Sequence, residues 1–266
     1  MLRSIKRTLT LYRIFFIQQC KKLMEYKLDF MTGAISFLIG QVLNIAFIQI
    51  IFSQIPSLQG WSQNKILFIY AFSLIPKGLD HLLADNLWCI AWFIVKNGDF
   101  DKYLTRPINP LVHVMMERIQ FDALGELILG IVMLILIPDV GITWSFEKIL
   151  FMIIMIPFAT MIYTSIKIFG ASIALKTKKS GTLLQIMYMT NDFAKYPVTI
   201  YNKLIRNLIT YFIPFAFTAY YPALYILTGK NPLFNIGGTI IISTLLFCIS
   251  YSFWKFFLKK YESAGS

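Results

Sequence analysis

The sequence predicts an all-α polytopic membrane protein with six transmembrane helices, an amino-terminal amphipathic interfacial helix, and a re-entrant hairpin before the last helix. Three observations predict it. Of 266 residues, 57% are hydrophobic and only 14% are charged, where a soluble domain carries about a quarter charged residues. The apolar residues come in runs long enough to cross a bilayer, about 20 residues at ~1.5 Å each. The formal charge of +12 is carried beside those runs, where basic residues orient a chain in the membrane. Nucleic-acid binding needs a basic patch on a soluble fold, so no nucleic-acid partner is expected. Cys20, Cys89 and Cys248 are widely spaced with no CxxC pattern, which argues against both a disulfide framework and a zinc site.

Residues 1–29 place Leu2, Ile5, Leu9, Tyr12, Phe16, Cys20 and Leu23 at steps of three and four, one helical stripe. Arg3, Lys6, Arg7, Arg13, Lys21, Lys22 and Lys27 surround it. The expectation is a basic helix lying on the anionic inner leaflet. The apolar run that follows is too long for the core of a signal peptide.

The region 30–258 begins with a span at 30–52 and an outer loop holding Pro56, Gly60 and Trp61. The second span runs from residue 66 past Trp92, longer than a bilayer requires. Its middle carries Lys77, Asp80, His81 and Asp85, and the spacing of four puts Lys77, His81 and Asp85 on one helical face. Ionisable groups inside a span are costly. Two readings stand: a polar translocation path, headgroup site or proton relay, or paired charges that stabilise a kinked helix at a subunit seam. A metal held by His81, Asp80 and Asp85 has little in its favour, so none is expected.

Residues 97–110 form a polar elbow between two long apolar runs. Gly98 suits the left-handed conformation that ends a helix. Asp99 or Asp101 can cap a new turn, and Pro107 and Pro110 are expected to stop it. Phe100, Tyr103 and Leu104 are the apolar groups of this elbow, and Asp99, Asp101, Lys102, Arg106 and Asn109 the polar ones.

A third span is expected at 119–137, entered past Glu117, Arg118, Asp122 and Glu126, which can pair at spacings of four. After a turn at 138–141 comes a fourth span at 149–175 with a lone Lys167, which snorkels or pairs with a neighbouring helix. The fifth is placed at 181–194. Tyr196-Pro197, Pro214 and Pro222 break the apolar stretch 195–229, which is read as re-entrant, since irregular backbone at membrane depth needs protein or water around it. Its aromatics, Tyr211, Phe212, Phe215, Phe217, Tyr220 and Tyr221, suit an outer gate or an ordinary interfacial belt. A last span at 234–256 precedes a tail at 259–266. The bias of Lys and Arg puts both termini in the cytoplasm, with Lys195, Lys203, Arg206 and Lys230 of the broken region fitting least well. No internal repeat supports an inverted-repeat carrier.

The elbow reads Gly98-x-x-Asp101-x-Tyr103-Leu104-x-Arg106-Pro107-x-Asn109-Pro110. Later come Tyr196-Pro197-x-x-Ile200-Tyr201, Ile213-Pro214-Phe215-Ala216-Phe217 and Tyr220-Tyr221-Pro222-Ala223. With the basic amino-terminal helix and the six spans, these resemble a permease subunit of the type-2 ABC exporters, in the bacterial six-span branch often encoded as pairs. The resemblance covers almost the whole chain. It implies a plasma-membrane protein that dimerises with an identical or related permease and binds two separate ATPase subunits. It implies that residues 98–110 are a coupling helix, with Asp99, Phe100, Asp101, Tyr103, Leu104, Arg106, Pro107, Asn109 and Pro110 meeting the ATPase. It also implies an extracellular gate holding Tyr196, Pro197, Pro214, Phe215, Tyr220, Tyr221 and Pro222. Drugs, peptides, lipids or glycans are the substrates of such exporters, and the fold does not choose among them.

Read directly, the chain has no G-x-x-x-x-G-K-[ST] loop; Thr228-Gly229-Lys230-Asn231 lacks the first glycine and the magnesium-binding hydroxyl. Neither HExxH nor GxSxG occurs. The expectation is a permease that is not an enzyme, with ATP and magnesium held by a partner chain. An ion-coupled carrier working through Lys77, Asp80, His81 and Asp85 is the first alternative. A non-transporting scaffold or immunity protein is the second.

Overall fold

Long apolar helices interrupted at charged or proline-bearing positions build the molecule. The computed structural model describes residues 2–25, 27–138, 140–263 and 265, and side chains for all of these except 2–9, 12 and 29. Asp139 of the predicted turn lies outside the described residues.

α1 (Leu2–Glu25) and α2 (Lys27–Gln54) open the chain. Gly60, at φ +84°, turns it back into α3 (Gln63–Ala84). α3 continues, after a break at Asp85, as α4 (Asn86–Cys89) and a π turn over Ile90–Ile94. α5 (Asp101–Leu104) and α6 (Pro110–Glu117) form the elbow. A 3₁₀ turn at Phe121–Ala123 leads into α7 (Leu124–Leu136). α8 (Phe146–Thr177) is capped by Ser145, whose hydroxyl accepts from the Lys148 amide, and ends at Lys178 with φ 65°. α9 (Gly181–Met189), α10 (Lys203–Asn207) and α11 (Tyr220–Thr228) are short. α12 (Gly238–Lys259), entered through a π turn at Leu233–Gly237, closes the fold.

Among the described residues four helices are long and apolar enough to cross a membrane: Phe30–Gln54, Gln63–Ala84, Phe146–Thr177 and Leu233–Lys259. A fifth crossing exists if α6 and Phe121–Leu136, bent 71° to each other, count as one. The expected third span at 119–137 is thus shorter at its start: Arg118–Gln120 is not helical. At 181–194 the expected fifth span is a nine-residue α-helix followed by 3₁₀ turns at Thr190–Lys195, too short at ~1.5 Å per residue to cross as one helix.

α3 is the central element, with 13 of its 22 residues buried, while the Phe30–Gln54 helix buries only Gln41 and Ile48. α8 packs along α12, and α3 packs on α7 and α8. The α3–α7 contact needs Gly130: a Cβ there would lie 3.0 Å from the Ala71 carbonyl oxygen. One apolar cluster gathers at the elbow end around Phe100, Tyr103 and Trp254. Another gathers around Phe68, Phe72, Tyr220 and Ala223 at the opposite end of α3.

The amino-terminal stripe is corrected in part. Among the described side chains Leu11, Phe15, Gln19, Cys20 and Leu23 are half-buried, so Cys20 and Leu23 of the expected stripe face inward while Phe16 is 43% exposed. The side chains of Leu2, Ile5, Leu9 and Tyr12 lie outside the described residues. Phe15 lies 5.8 Å from the His113 ring, and the Gln19 side-chain amide donates to the Glu117 carbonyl at 2.5 Å. α1 therefore docks on α6 through one face while Ile14, Phe16 and Ile17 remain outward. Both faces are apolar, so periodicity alone could not choose between them.

Candidate functional site

The elbow is organised by Gly98, whose φ of +81° belongs to the left-handed region that glycine enters without Cβ strain. Neither Asp99 nor Asp101 caps the turn that follows. Phe100 occupies the cap position and no side chain bonds there. Pro110 does not stop a turn but begins α6 as its first residue, where its missing N–H costs nothing, and the Asn109 side chain accepts from the Leu111 amide at 3.0 Å.

Three elements hold this short segment. Lys102 Nζ lies 2.7 Å from Glu117 Oε1, and the Tyr103 hydroxyl donates to the other carboxylate oxygen of Glu117. From beyond α12, the Tyr261 and Ser263 hydroxyls donate to Asp101 at 2.8 and 2.6 Å. Asn109 Nδ2 donates to the Tyr251 hydroxyl at 3.1 Å. The Phe100 ring packs edge-on at 5.0 Å from Tyr261 and 6.0 Å from Trp254. The hydrogen bonds from Ser263 and Tyr261 hold the Asp101 carboxyl below its ordinary range. Burial, with Asp101 beside it, pushes the Tyr261 phenol up to about 12.

This overturns part of the expectation for the elbow. Phe100 and Tyr103 are fully buried in their own chain, so they are anchors and not knobs offered to a partner. Leu104 is 44% exposed, and Asp99, Lys102, Arg106, Pro107 and Asn109 are exposed beside it, with Asp101 and Pro110 half-buried. Arg106 Nη1 lies 3.1 Å from His113 Nε2. What reaches solvent is one apolar side chain ringed by polar groups.

The second candidate is a buried polar lattice that joins α2, α3, α7, α8 and α9. Its four sequence-predicted members divide between two carboxylate–cation groups. Lys77 Nζ and His81 Nδ1 lie 3.2 and 2.9 Å from the two oxygens of Glu126 on α7. Asp80 and Asp85 instead share Lys167 of α8, at 2.7 and 2.8 Å from its ammonium. The Tyr188 hydroxyl joins the halves, 3.1 Å from both Asp80 Oδ2 and His81 Nε2. Thr164 donates to Asp80 at 2.8 Å. Gln41 of α2 reaches Glu126 at 3.3 Å and accepts from the Tyr70 hydroxyl at 2.5 Å. Asp80, Glu126 and Lys167 are fully buried. Among the described residues, no three His, Cys, Asp or Glu side chains converge to hold a metal.

Of the two expectations for Lys167, pairing with a neighbouring helix is the one the structure shows, and nothing in the sequence singles out Tyr188. The expected pairing of Glu117, Arg118, Asp122 and Glu126 among themselves does not form. Glu117 goes to Lys102, Glu126 to Lys77 and His81, Asp122 to Gln120, and Arg118 approaches Cys89 Sγ at 3.8 Å. The 71° bend between α6 and α7 separates residues that a straight helix would align.

In the broken region, Pro214, Phe215, Tyr220 and Pro222 are buried, and Tyr196 and Tyr221 half-buried. Pro197 is buried and follows the 3₁₀ turn that ends at Lys195. Tyr221 packs 4.4 Å from Phe217 and 5.0 Å from Phe234, and Tyr220 packs against Trp61 at 5.9 Å. Trp61 also donates to the Thr199 hydroxyl at 3.0 Å. Of the expected aromatics only Tyr211 and Phe212 stand mostly outside, 72% and 84% exposed. This region caps the end of α3 opposite the elbow, ~33 Å away for a 22-residue helix.

No curated protein matches the chain. A family model described as ABC-2 family transporter protein matches residues 38–265. The match runs from within α2, through both candidate sites, to the tail beyond α12, and by it the chain belongs to the ABC-2 transporter family as a membrane-embedded permease subunit.

Proposed function

We propose that this chain is one permease of an ATP-driven exporter, coupled to separate ATPase subunits through residues 98–110. The observation that carries the proposal is the combination of an exposed Leu104 with a turn locked by Phe100, Tyr103 and Asp101 to α6 and to the end of α12. A turn that is rigidly tied to two transmembrane elements passes a push on its surface into both of them. A floppy loop would absorb it. Leu104 is the apolar contact in this reading, and Asp99, Lys102, Arg106 and Asn109 form the polar rim. Arg106 has the geometry for a bidentate bond to a partner carboxylate.

In the same reading both termini are cytoplasmic, and the chain crosses six times, the short helix at 181–194 and the broken region 195–229 together making the fifth passage and an outer gate. ATP and magnesium belong to the ATPase. A second permease, identical or related, completes the path for an amphipathic substrate such as a drug, peptide or lipid. The buried lattice is assigned to holding α3, α7, α8 and α9 together. Asp80 and Glu126 are each satisfied from two elements and Asp85 from α8, which favours an interhelical lock over the ion-coupled alternative.

The test is co-purification in mild detergent. Leu104→Glu with Arg106→Glu is expected to insert and fold as the wild type does and to lose the ATPase. Retention of the ATPase by that variant would refute the assignment.

A further inference from the structure

At the level where α2 and α7 begin lies a cavity of about 480 Å³, bounded by α1, by the start of α2 and by the non-helical break Arg118–Gln120. Two cations line it, Lys22 and Arg118. Both are exposed, and neither forms an ion pair among the described residues. Leu23, Phe30 and Phe121 supply apolar walls. The one carboxylate in the lining, Asp122, accepts from Gln120 Nε2 at 3.1 Å and sits against α2, where a Cβ on Gly33 would be 3.1 Å from its Oδ2. Two cations against this one carboxylate leave the lining with a net positive charge.

The position is as informative as the charge. Phe30 starts the apolar helix Phe30–Gln54, and Phe121 starts the apolar segment Phe121–Leu136. The cavity therefore sits where hydrocarbon gives way to headgroups. From Phe30 the exposed flank of α2 continues through Met31, Ile35 and Leu38, which are 54%, 50% and 40% exposed. At positions i, i+4 and i+7 these share one helical face.

We propose that this cavity is a binding site for an anionic phospholipid. Its phosphate meets Lys22 and Arg118, the latter through the paired N–H groups that suit phosphate geometry. Its acyl chains lie along the exposed face of α2. The proposal requires a membrane but no ATPase, so it stands or falls independently of the coupling role given to the elbow. A zwitterionic headgroup leaves the two cations without net compensation, and a free phosphate leaves the apolar walls uncovered.

The experiment is native mass spectrometry of the full chain in mild detergent, titrated separately with phosphatidylglycerol and phosphatidylcholine. Wild type is compared with Lys22→Gln/Arg118→Gln, and with Lys255→Gln/Lys259→Gln as a control for surface basicity. The expected result is retained phosphatidylglycerol, weakened about tenfold or more in the first variant, unchanged in the second, and not displaced by glycerol phosphate. Thermal unfolding of both variants in lipid-free detergent should stay close to wild type, because all four side chains are exposed and Arg118 gives up only its long 3.8 Å contact to Cys89 Sγ. Equal phosphatidylglycerol binding by wild type and Lys22→Gln/Arg118→Gln would overturn the proposal. So would equal retention of phosphatidylcholine, or displacement by glycerol phosphate, which would mark a site for a free phosphate.

Discussion

Lys167 on α8 stands between Asp80 of α3 and Asp85 at the break that follows it, with its ammonium 2.7 Å from one carboxylate and 2.8 Å from the other. Lys167 and Asp80 are fully buried, whereas the Asp85 side chain is 30% exposed. The pair thus ties two helices at a point that water reaches only on the Asp85 side.

Removing one partner of a buried pair leaves a charge with no compensation, which costs more than the pair contributes. Lys167→Ala is expected to destabilise the protein by roughly 3–5 kcal/mol. Lys167→Met combined with Asp80→Leu should recover much of that loss. Thermal unfolding in detergent, followed by circular dichroism, measures both. A single variant as stable as wild type would mean that the lattice holds nothing together.

Within the elbow, burial divides residues of similar chemistry. Phe100→Ala should cost roughly 3–5 kcal/mol, as for other large core truncations. Leu104→Ala should stay within ~0.5 kcal/mol, the usual range for a surface change. Only the second class of variant reports on a partner without also reporting on folding.

The contact between the tail and Asp101 should depend on acid. Asp101 is held below the ordinary carboxylate range by Ser263 and Tyr261. A depressed carboxyl stabilises the folded state above its unfolded pKa of ~3.9 and stops doing so as pH falls through the lower folded value. Amide hydrogen exchange over 257–262 should therefore rise in acid below about pH 4 in the wild type. In Asp101→Ala it should already be raised at neutral pH, with no further acid step.

Gly181 begins α9 directly against Trp92, and a Cβ there would overlap the indole ring. Gly181→Ala has to displace a rigid indole, so a loss of about 1–3 kcal/mol is expected. Thermal unfolding decides it, and an unchanged midpoint would show that the ring moves freely.

The long apolar helices and the elbow were legible because they depend on local pattern: runs of apolar residues, and a glycine where φ is positive. The partners in the lattice were not. Lys77 and His81 pointed to a shared helical face, but Glu126 comes from another helix, and nothing local in the sequence joins positions 77 and 126. Phe100 and Tyr103 failed for a related reason. A four-residue turn has too little periodicity to show which face docks inside, and the rings that cover Phe100, Trp254 and Tyr261, lie about 150 residues away. The span expected at 181–194 was misjudged in length because its apolar content resembles a span while the α-helix gives way to 3₁₀ turns at Thr190.

The central claim is that residues 98–110 meet a nucleotide-binding chain, and site-specific photo-cross-linking in native membranes tests it most directly. A photoreactive phenylalanine analogue would replace Leu104 in one variant and Phe212, exposed near the opposite end of the molecule, in another. The account predicts an adduct between position 104 and an ATPase subunit, identified by mass spectrometry, and none from position 212. An inserted, folded protein that gives no ATPase adduct at position 104, or an equal one at position 212, would contradict it.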